Sequence, residues 1–139
     1  MHVPYILSCK RPPHETRLNL ALYRQAMTII NTENSEHYNW GKNSDGWHLL
    51  KSDSLSIIEE NVPPNESEER HYHNESQQFF YILSGIASIE ISGKLFEVTA
   101  GNGVHVPAKE SHQLMNKSTE NLKFLVVSQP KSHGDRVNV

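Results

Sequence analysis

Apolar and polar residues alternate with a period of two through most of the second half of the chain, interrupted at short intervals by Gly, Pro, Asn and Ser. Successive side chains leave a strand on opposite faces, so this period predicts half-buried β-strands. The segments so marked are 47–50, 55–60 (with Leu55, Ile57 and Glu59 on one face), the short His71-Tyr72-His73 run, 78–83 and 86–91. They continue with 94–99, 104–107, 111–115 and 122–128. Ser92-Gly93 reads as a hairpin turn and Gly101-Asn102-Gly103 as a second turn. Two adjacent prolines, Pro63 and Pro64, exclude 62–67 from any ladder and mark it as a loop. Residues 31–46 look polar and turn-rich, with Trp40-Gly41 and Asp45-Gly46 as turns, and 129–139 look like a polar tail. The fold class is therefore all-β, a barrel or sandwich of short strands.

The first 26 residues read differently. Residues 1–13 are proline-punctuated and irregular. The stretch 15–30 has helical spacing, with Leu18, Leu22, Ala26 and Ile29 on one face and Thr16 as an N-cap. Met27 stands directly before an apolar Thr-Ile-Ile run, so 1–26 are read as a dispensable N-terminal extension, short and irregular or helical, and not necessarily native. Residues 27–139 are read as one domain, with its core over 47–128.

Composition narrows the field of functions. At 139 residues the chain is sized for a single core. A net charge of −3 without a basic stripe argues against nucleic acid or an anionic membrane as partner. The single cysteine, Cys9, allows no intramolecular disulfide. No apolar run approaches the ~18 residues of a membrane span, and Pro4 interrupts the short patch at 3–7, so no signal peptide is expected. A cytoplasmic protein is the expectation.

The chemistry concentrates in the histidines. His71 and His73 are two apart, so a strand presents both imidazoles on one face. Gln78 follows five residues later, and His112 stands in the run Pro107-Ala-Lys-Glu-Ser-His112-Gln-Leu-Met-Asn116. Three imidazoles and an amide oxygen form a plausible ligand set for a divalent transition metal. There is no Gly-x-Ser-x-Gly elbow and no phosphate-binding glycine loop.

These residues carry a resemblance. The first run, His71-x-His73-x4-Gln78-x6-Gly85, resembles the first motif of the cupins. The second, Gly101-x5-Pro107-x-Lys109-x2-His112-x3-Asn116, resembles their second motif. Only fifteen residues separate the two, as in compact single-domain bacterial cupins. The resemblance implies a double-stranded β-helix or small jelly roll of RmlC-like type, holding one metal ion (Fe, Mn, Ni, Cu or Zn) on His71, His73, Gln78 and His112. It also implies structural roles for Gly85, Gly101, Pro107 and Asn116, the last closing a turn or tying strands together.

Three departures stand out: Gln78 where the family has an acidic ligand, Lys109 at the turn glycine, and Pro64-Asn65 at the leading glycine. A neutral ligand set leaves a bound ion its full +2 charge, which favours anionic ligands. Asn65 is the residue type that best tolerates a positive φ after glycine.

His105 and Tyr81 are candidates for the pocket or for support of the ligands, against the plainer reading of surface or wall residues. His2, His14, His37, His48 and His133 lack partners at metal spacing and are expected to face solvent. The acidic group Glu59, Glu60, Glu66, Glu68, Glu69 and Glu75 reads as a solvated loop. Two functions remain open. One is a mononuclear metalloenzyme, dioxygenase- or isomerase-like, acting on a small anionic metabolite. The other is a non-catalytic metal-centred module that binds a carboxylate or sugar. A homodimer is implied by the resemblance and by the exposed ladders of a lone jelly roll.

Overall fold

The structure, a computed structural model, describes residues 29–139. These form eleven strands and no helix: β1 (Glu36–Trp40), β2 (Ser44–Lys51), β3 (Ser56–Val62), β4 (His71–His73), β5 (Gln77–Ser84) and β6 (Ile86–Ile91). The set is completed by β7 (Lys94–Thr99), β8 (Gly103–Val106), β9 (His112–Met115), β10 (Leu122–Gln129) and β11 (Arg136–Asn138). One sheet has the order β1-β2-β3-β10-β5-β8 and the other β11-β4-β9-β6-β7, with every pairing antiparallel. From β3 to β6 the chain passes from sheet to sheet at each strand, which winds it into a double-stranded β-helix.

Strict alternation builds the core. β5 sends Gln78, Phe80 and Ile82 inward and leaves Phe79, Tyr81 and Leu83 about 40% exposed outside. Across the ladder β10 contributes Leu122, Phe124, Val126 and Ser128, and the opposing sheet answers with Ala87, Ile89 and Leu114. Each fully buried Leu, Ile or Phe stabilises the fold by about 1.5–3 kcal/mol.

Backbone geometry bears on two of the three motif departures, Asn65 and Lys109, and on Gly85. Gly85 sits at φ +84 between β5 and β6, and a Cβ there would lie 2.6 Å from the Asn121 carbonyl oxygen. Asn65 takes φ 64 and Lys109 takes φ 70. The left-handed turn at Lys109 aims its N–H at the His73 carbonyl, 2.7 Å away, and so ties the second motif to β4. Replacing Lys109 with Gly should keep this bond while removing the Cβ penalty, a gain of up to about 1 kcal/mol. Urea unfolding of Lys109→Gly measures it, and a less stable variant would show that the lysine stem packs usefully.

Several sequence expectations are corrected. Asp45-Gly46 is not a turn: both residues lie inside β2, and only the Trp40-Gly41 end of that stretch reverses the chain, at Gly41 φ 59. The polar 36–40 segment is a strand because it is an edge, needing only Tyr38 and Trp40 to pack on the core. In β3 the inward set is Ser56, Ile58, Glu60 and Val62, the opposite parity to Leu55, Ile57 and Glu59. The segment 129–139 is no free tail, since β11 pairs with β4. The expected N-terminal extension and its helix fall outside the described residues except for 29 and 30, which are not helical.

Candidate metal centre

His71 and His73 project inward from β4 while Tyr72 between them is more exposed. His112 opens β9 and pairs directly with His71 across the ladder. The three imidazoles are buried, and one ring nitrogen from each lies within 4.8 Å of those from the others. Gln78 faces them from the opposite sheet, so the four residues meet across the interior of the barrel.

Hydrogen bonds fix which atoms look inward. The Glu69 carbonyl accepts from His71 Nδ1 at 2.8 Å, and the Glu110 carbonyl accepts from His112 Nδ1 at 3.0 Å. A carbonyl can only accept, so both neutral rings carry their lone pair on Nε2. His112 Nε2 stands 3.1 Å from Gln78 Oε1, while the Gln78 amide nitrogen donates to Ser128 Oγ at 3.0 Å. With this amide orientation two acceptors face each other, which a cation beside them would relieve. The reverse amide orientation would satisfy the same pair without a cation, so Gln78 is built to serve both states.

Neither ring nitrogen of His73 makes a well-formed hydrogen bond among the described residues, the Asp135 backbone offering only a weak one, although the residue is only 5% exposed. A buried, unpaired imidazole costs roughly 1–3 kcal/mol. A metal ion bound to the ring would remove that cost.

Burial holds all three rings neutral. His71 is pushed down to about 3, mainly by desolvation and partly by the nearby His112 and His73. Desolvation likewise lowers His73, with His112 adding to the effect, and it lowers His112. Neutral imidazoles with inward lone pairs are the form that binds a divalent ion. The donor set therefore fits such an ion.

The site opens into a cavity of about 470 Å³. Its walls include residues that sequence reasoning set aside. Tyr38, Gly46 and Glu60 lie in one cross-strand row over β1, β2 and β3. Gly46 has no side chain, so the Tyr38 ring crosses it and donates from its hydroxyl to Glu60 Oε1 at 3.0 Å. Glu68 Oε1 accepts from the Leu114 N–H at 3.0 Å, and its other oxygen lies 4.0 Å from His71 Nδ1. Burial raises Glu60 to about 7 and Glu68 to about 8, the latter also through repulsion by Glu60. The same two carboxyls, with burial, hold the Tyr38 phenol protonated.

The C-terminal segment closes one side. The Asp135 carboxylate accepts from the backbone N–H groups of Asn74, Glu75 and Ser76 at 2.9–3.1 Å, pinning the segment to the loop between His73 and Gln78. This places His133, Gly134 and Arg136 on the cavity wall.

His105 and Tyr81 do not join the site. Val106 pairs with Gln78 and points inward, so His105 points out, where its Nε2 lies 3.0 Å from Gln77 Oε1. Tyr81 shares the outer face of β5. His48 and His133, expected in solvent, have ring centroids 5.4 Å apart and together line a second, smaller cavity of about 260 Å³. Asn116 donates to the carbonyls of Val62 and Glu120 at 2.8 and 2.7 Å, locking the β3 end to the β9–β10 turn. Gly101 takes φ 82 in the turn before β8.

An antiparallel double-stranded β-helix with three buried, inward imidazoles defines the class: a barrel able to hold a metal in its interior. The family model for the cupin domain matches residues 58–128, and the chain belongs to the cupin family. It is 32% identical over 89 residues to the uncharacterized protein MJ1618 of Methanocaldococcus jannaschii, covering 63% of this chain and 71% of that one. Among solved structures it resembles the polyketide cyclase RemF from Streptomyces resistomycificus, with a TM-score of 0.71, 23% identity and coverage of 81% and 85%. It also resembles an RmlC-like cupin from Shewanella frigidimarina, with a TM-score of 0.67, 17% identity and coverage of 74% and 90%. No described helix is long and apolar enough to cross a membrane.

Proposed function

We propose that this cupin is a mononuclear metalloenzyme that moves a proton on a small oxygen-bearing metabolite, an isomerase-like rather than dioxygenase-like reaction. His71, His73 and His112 would hold one divalent ion, with Gln78 offering its amide oxygen. The observation that carries the reading is the buried trio His71, His73 and His112, whose ring nitrogens lie within 4.8 Å of one another with Gln78 facing them. A bound divalent ion supplies Lewis acidity toward a carbonyl or enol oxygen.

The chain's own contribution is proton capacity on the cavity wall. Glu60 and Glu68, at about 7 and about 8, are poised to hold or release a proton near neutral pH, where general acids and bases are most effective. Gln78 and Tyr38 supply no such capacity. A plain binding module is the second reading, favoured by the anchoring of a neutral Gln78 on Ser128 where a charged ligand would strengthen metal retention.

The deciding experiment has two stages. Elemental analysis of protein reconstituted with iron, manganese, nickel, copper or zinc should give about one ion per chain, with tighter retention in Gln78→Glu. Small hydroxy-carbonyl compounds are then incubated with the loaded protein in deuterated water and followed by proton NMR. Deuterium uptake without oxygen consumption supports the enzyme. Metal-loaded protein that binds without exchange leaves the module, and failure to retain any of these ions overturns both readings.

A further inference from the structure

Each of the two cavity carboxyls has one oxygen engaged by the protein and one left over. Glu60 Oε1 accepts from Tyr38 and Glu68 Oε1 accepts from the Leu114 N–H, while neither Oε2 has a hydrogen-bond partner among the described residues. Both residues line the cavity that His71, His73 and Gln78 also line. The row that holds Glu60 is purpose-built. A Cβ on Gly46 would come within 2.3–2.6 Å of the Tyr38 ring, so the glycine is what allows the phenol to span β2 and fix the carboxyl.

From this arrangement we infer that Glu60, positioned by Tyr38 and seconded by Glu68, selects an uncharged, hydroxyl-bearing ligand over a carboxylate. The inference deepens the metal-centred reading and rests on it. An oxygen of the ligand faces the imidazoles, and a hydroxyl elsewhere on it donates to the free Glu60 oxygen. A hydroxyl can donate to the free Glu60 oxygen and accept from a neighbouring carboxyl that holds its proton, whereas a carboxylate cannot donate and is repelled wherever either carboxyl is ionised. The opposing feature is Arg136, an exposed residue on the cavity wall whose charge also lowers the pKa of both carboxyls. Its Nε already donates to Asn138 Oδ1 at 2.9 Å and its Nη2 to the Glu69 carbonyl at 3.1 Å, which fixes it to the rim. The sequence pattern pointed the other way, to an anionic ligand, because a neutral ligand set leaves a metal its charge. The acidic wall supplies the compensation that Gln78 omits.

Three 5-hydroxy-4-pyranones test this, since they share one metal-chelating hydroxy-ketone and differ only at ring position 2. Kojic acid carries a hydroxymethyl there, allomaltol a methyl, and comenic acid a carboxylate. Calorimetric titration of the zinc-loaded protein should show kojic acid about tenfold tighter than allomaltol, one charge-assisted hydrogen bond's worth, and comenate weaker than both. In Glu60→Gln the preference over allomaltol should shrink to about threefold or less, and comenate should gain. Tyr38→Phe frees the second Glu60 oxygen and should keep the discrimination against comenate, which separates the carboxyl's role from a loss of fold.

Equal binding of kojic acid and allomaltol, tightest binding of comenate, or no binding of any probe to zinc-loaded protein would each overturn the inference. A protein that retains no zinc would instead fail at the metal-centred reading, so the two failures are distinguishable.

Discussion

His73→Ala should abolish metal retention while leaving the metal-free fold nearly as stable as before. The two halves of this result have separate causes. Three imidazoles supply the strong donors of the site, and losing one leaves two nitrogens and an amide oxygen, which should weaken binding by about a thousandfold. Stabilisation by the ion goes with it: at a free metal concentration a thousand times Kd, the ion adds about 4 kcal/mol to the folded state.

The fold itself loses little, because His73 contributes an orphaned pair of ring nitrogens in a dry site. Relief of that cost, about 1–3 kcal/mol, offsets most of the packing lost when the ring is removed. Thermal melts with and without zinc check both halves. Wild-type protein should melt higher with zinc and the variant at one temperature throughout. A variant that keeps stoichiometric metal, or a metal-free variant that cannot fold, would refute the assignment of His73 as a ligand.

The cluster was legible in the sequence because half of its geometry is local and the resemblance to the two cupin motifs implied the rest. Two histidines on a three-residue strand must share a face, and the spacing that carries the second motif sets His112 beside them. The strand pattern was equally legible wherever alternation is strong, as in β5, β6 and β10. The same alternation that put Gln77 opposite Gln78 also put Tyr81 outside, a consequence within reach of the sequence.

The acidic wall was not legible in this way. Glu60 reads as a solvated residue until β3's parity is known, and that parity is decided by Ile58 and Val62 packing on β10 rather than by β3 alone. Tyr38 reaches Glu60 only because the glycine on the strand between them leaves room, a fact of register. β11 carries one apolar residue, Val137, and has no local signal at all. Its position is set by the Asp135 carboxylate binding backbone groups some sixty residues away in sequence.

The buried titratable groups also predict how stability depends on pH in the metal-free protein. The three histidines have folded values below the ordinary 6.5. Above pH 6.5 they are neutral whether folded or not. As pH falls below it the unfolded chain takes up protons that the folded chain refuses, at about 1.4 kcal/mol per pH unit for each proton. Stability therefore falls on the acid side.

The two carboxyls act in the opposite sense. Their unfolded value is 4.5, and the folded values are about 7 for Glu60 and about 8 for Glu68. Between those limits the folded protein holds protons that the unfolded chain has lost, so their contribution is complete below pH 4.5 and disappears as pH rises through about 7 and 8. The histidines and the carboxyls act in opposite senses, so stability passes through a maximum between the acid fall and the alkaline fall.

In Glu60→Gln one of the two alkaline contributions is gone, so the maximum should move to higher pH and the fall beyond it should be shallower. Bound metal should do more. A nearby dication favours ionised carboxyls and flattens the alkaline limb, while proton competition for the imidazoles steepens the acid one. Urea unfolding from pH 4.5 to 8.5, with chelator and then with zinc, reads both limbs. Metal-free protein whose stability rises steadily through pH 8 would show that Glu60 and Glu68 are ionised at neutrality and cannot act as the proton carriers of the cavity.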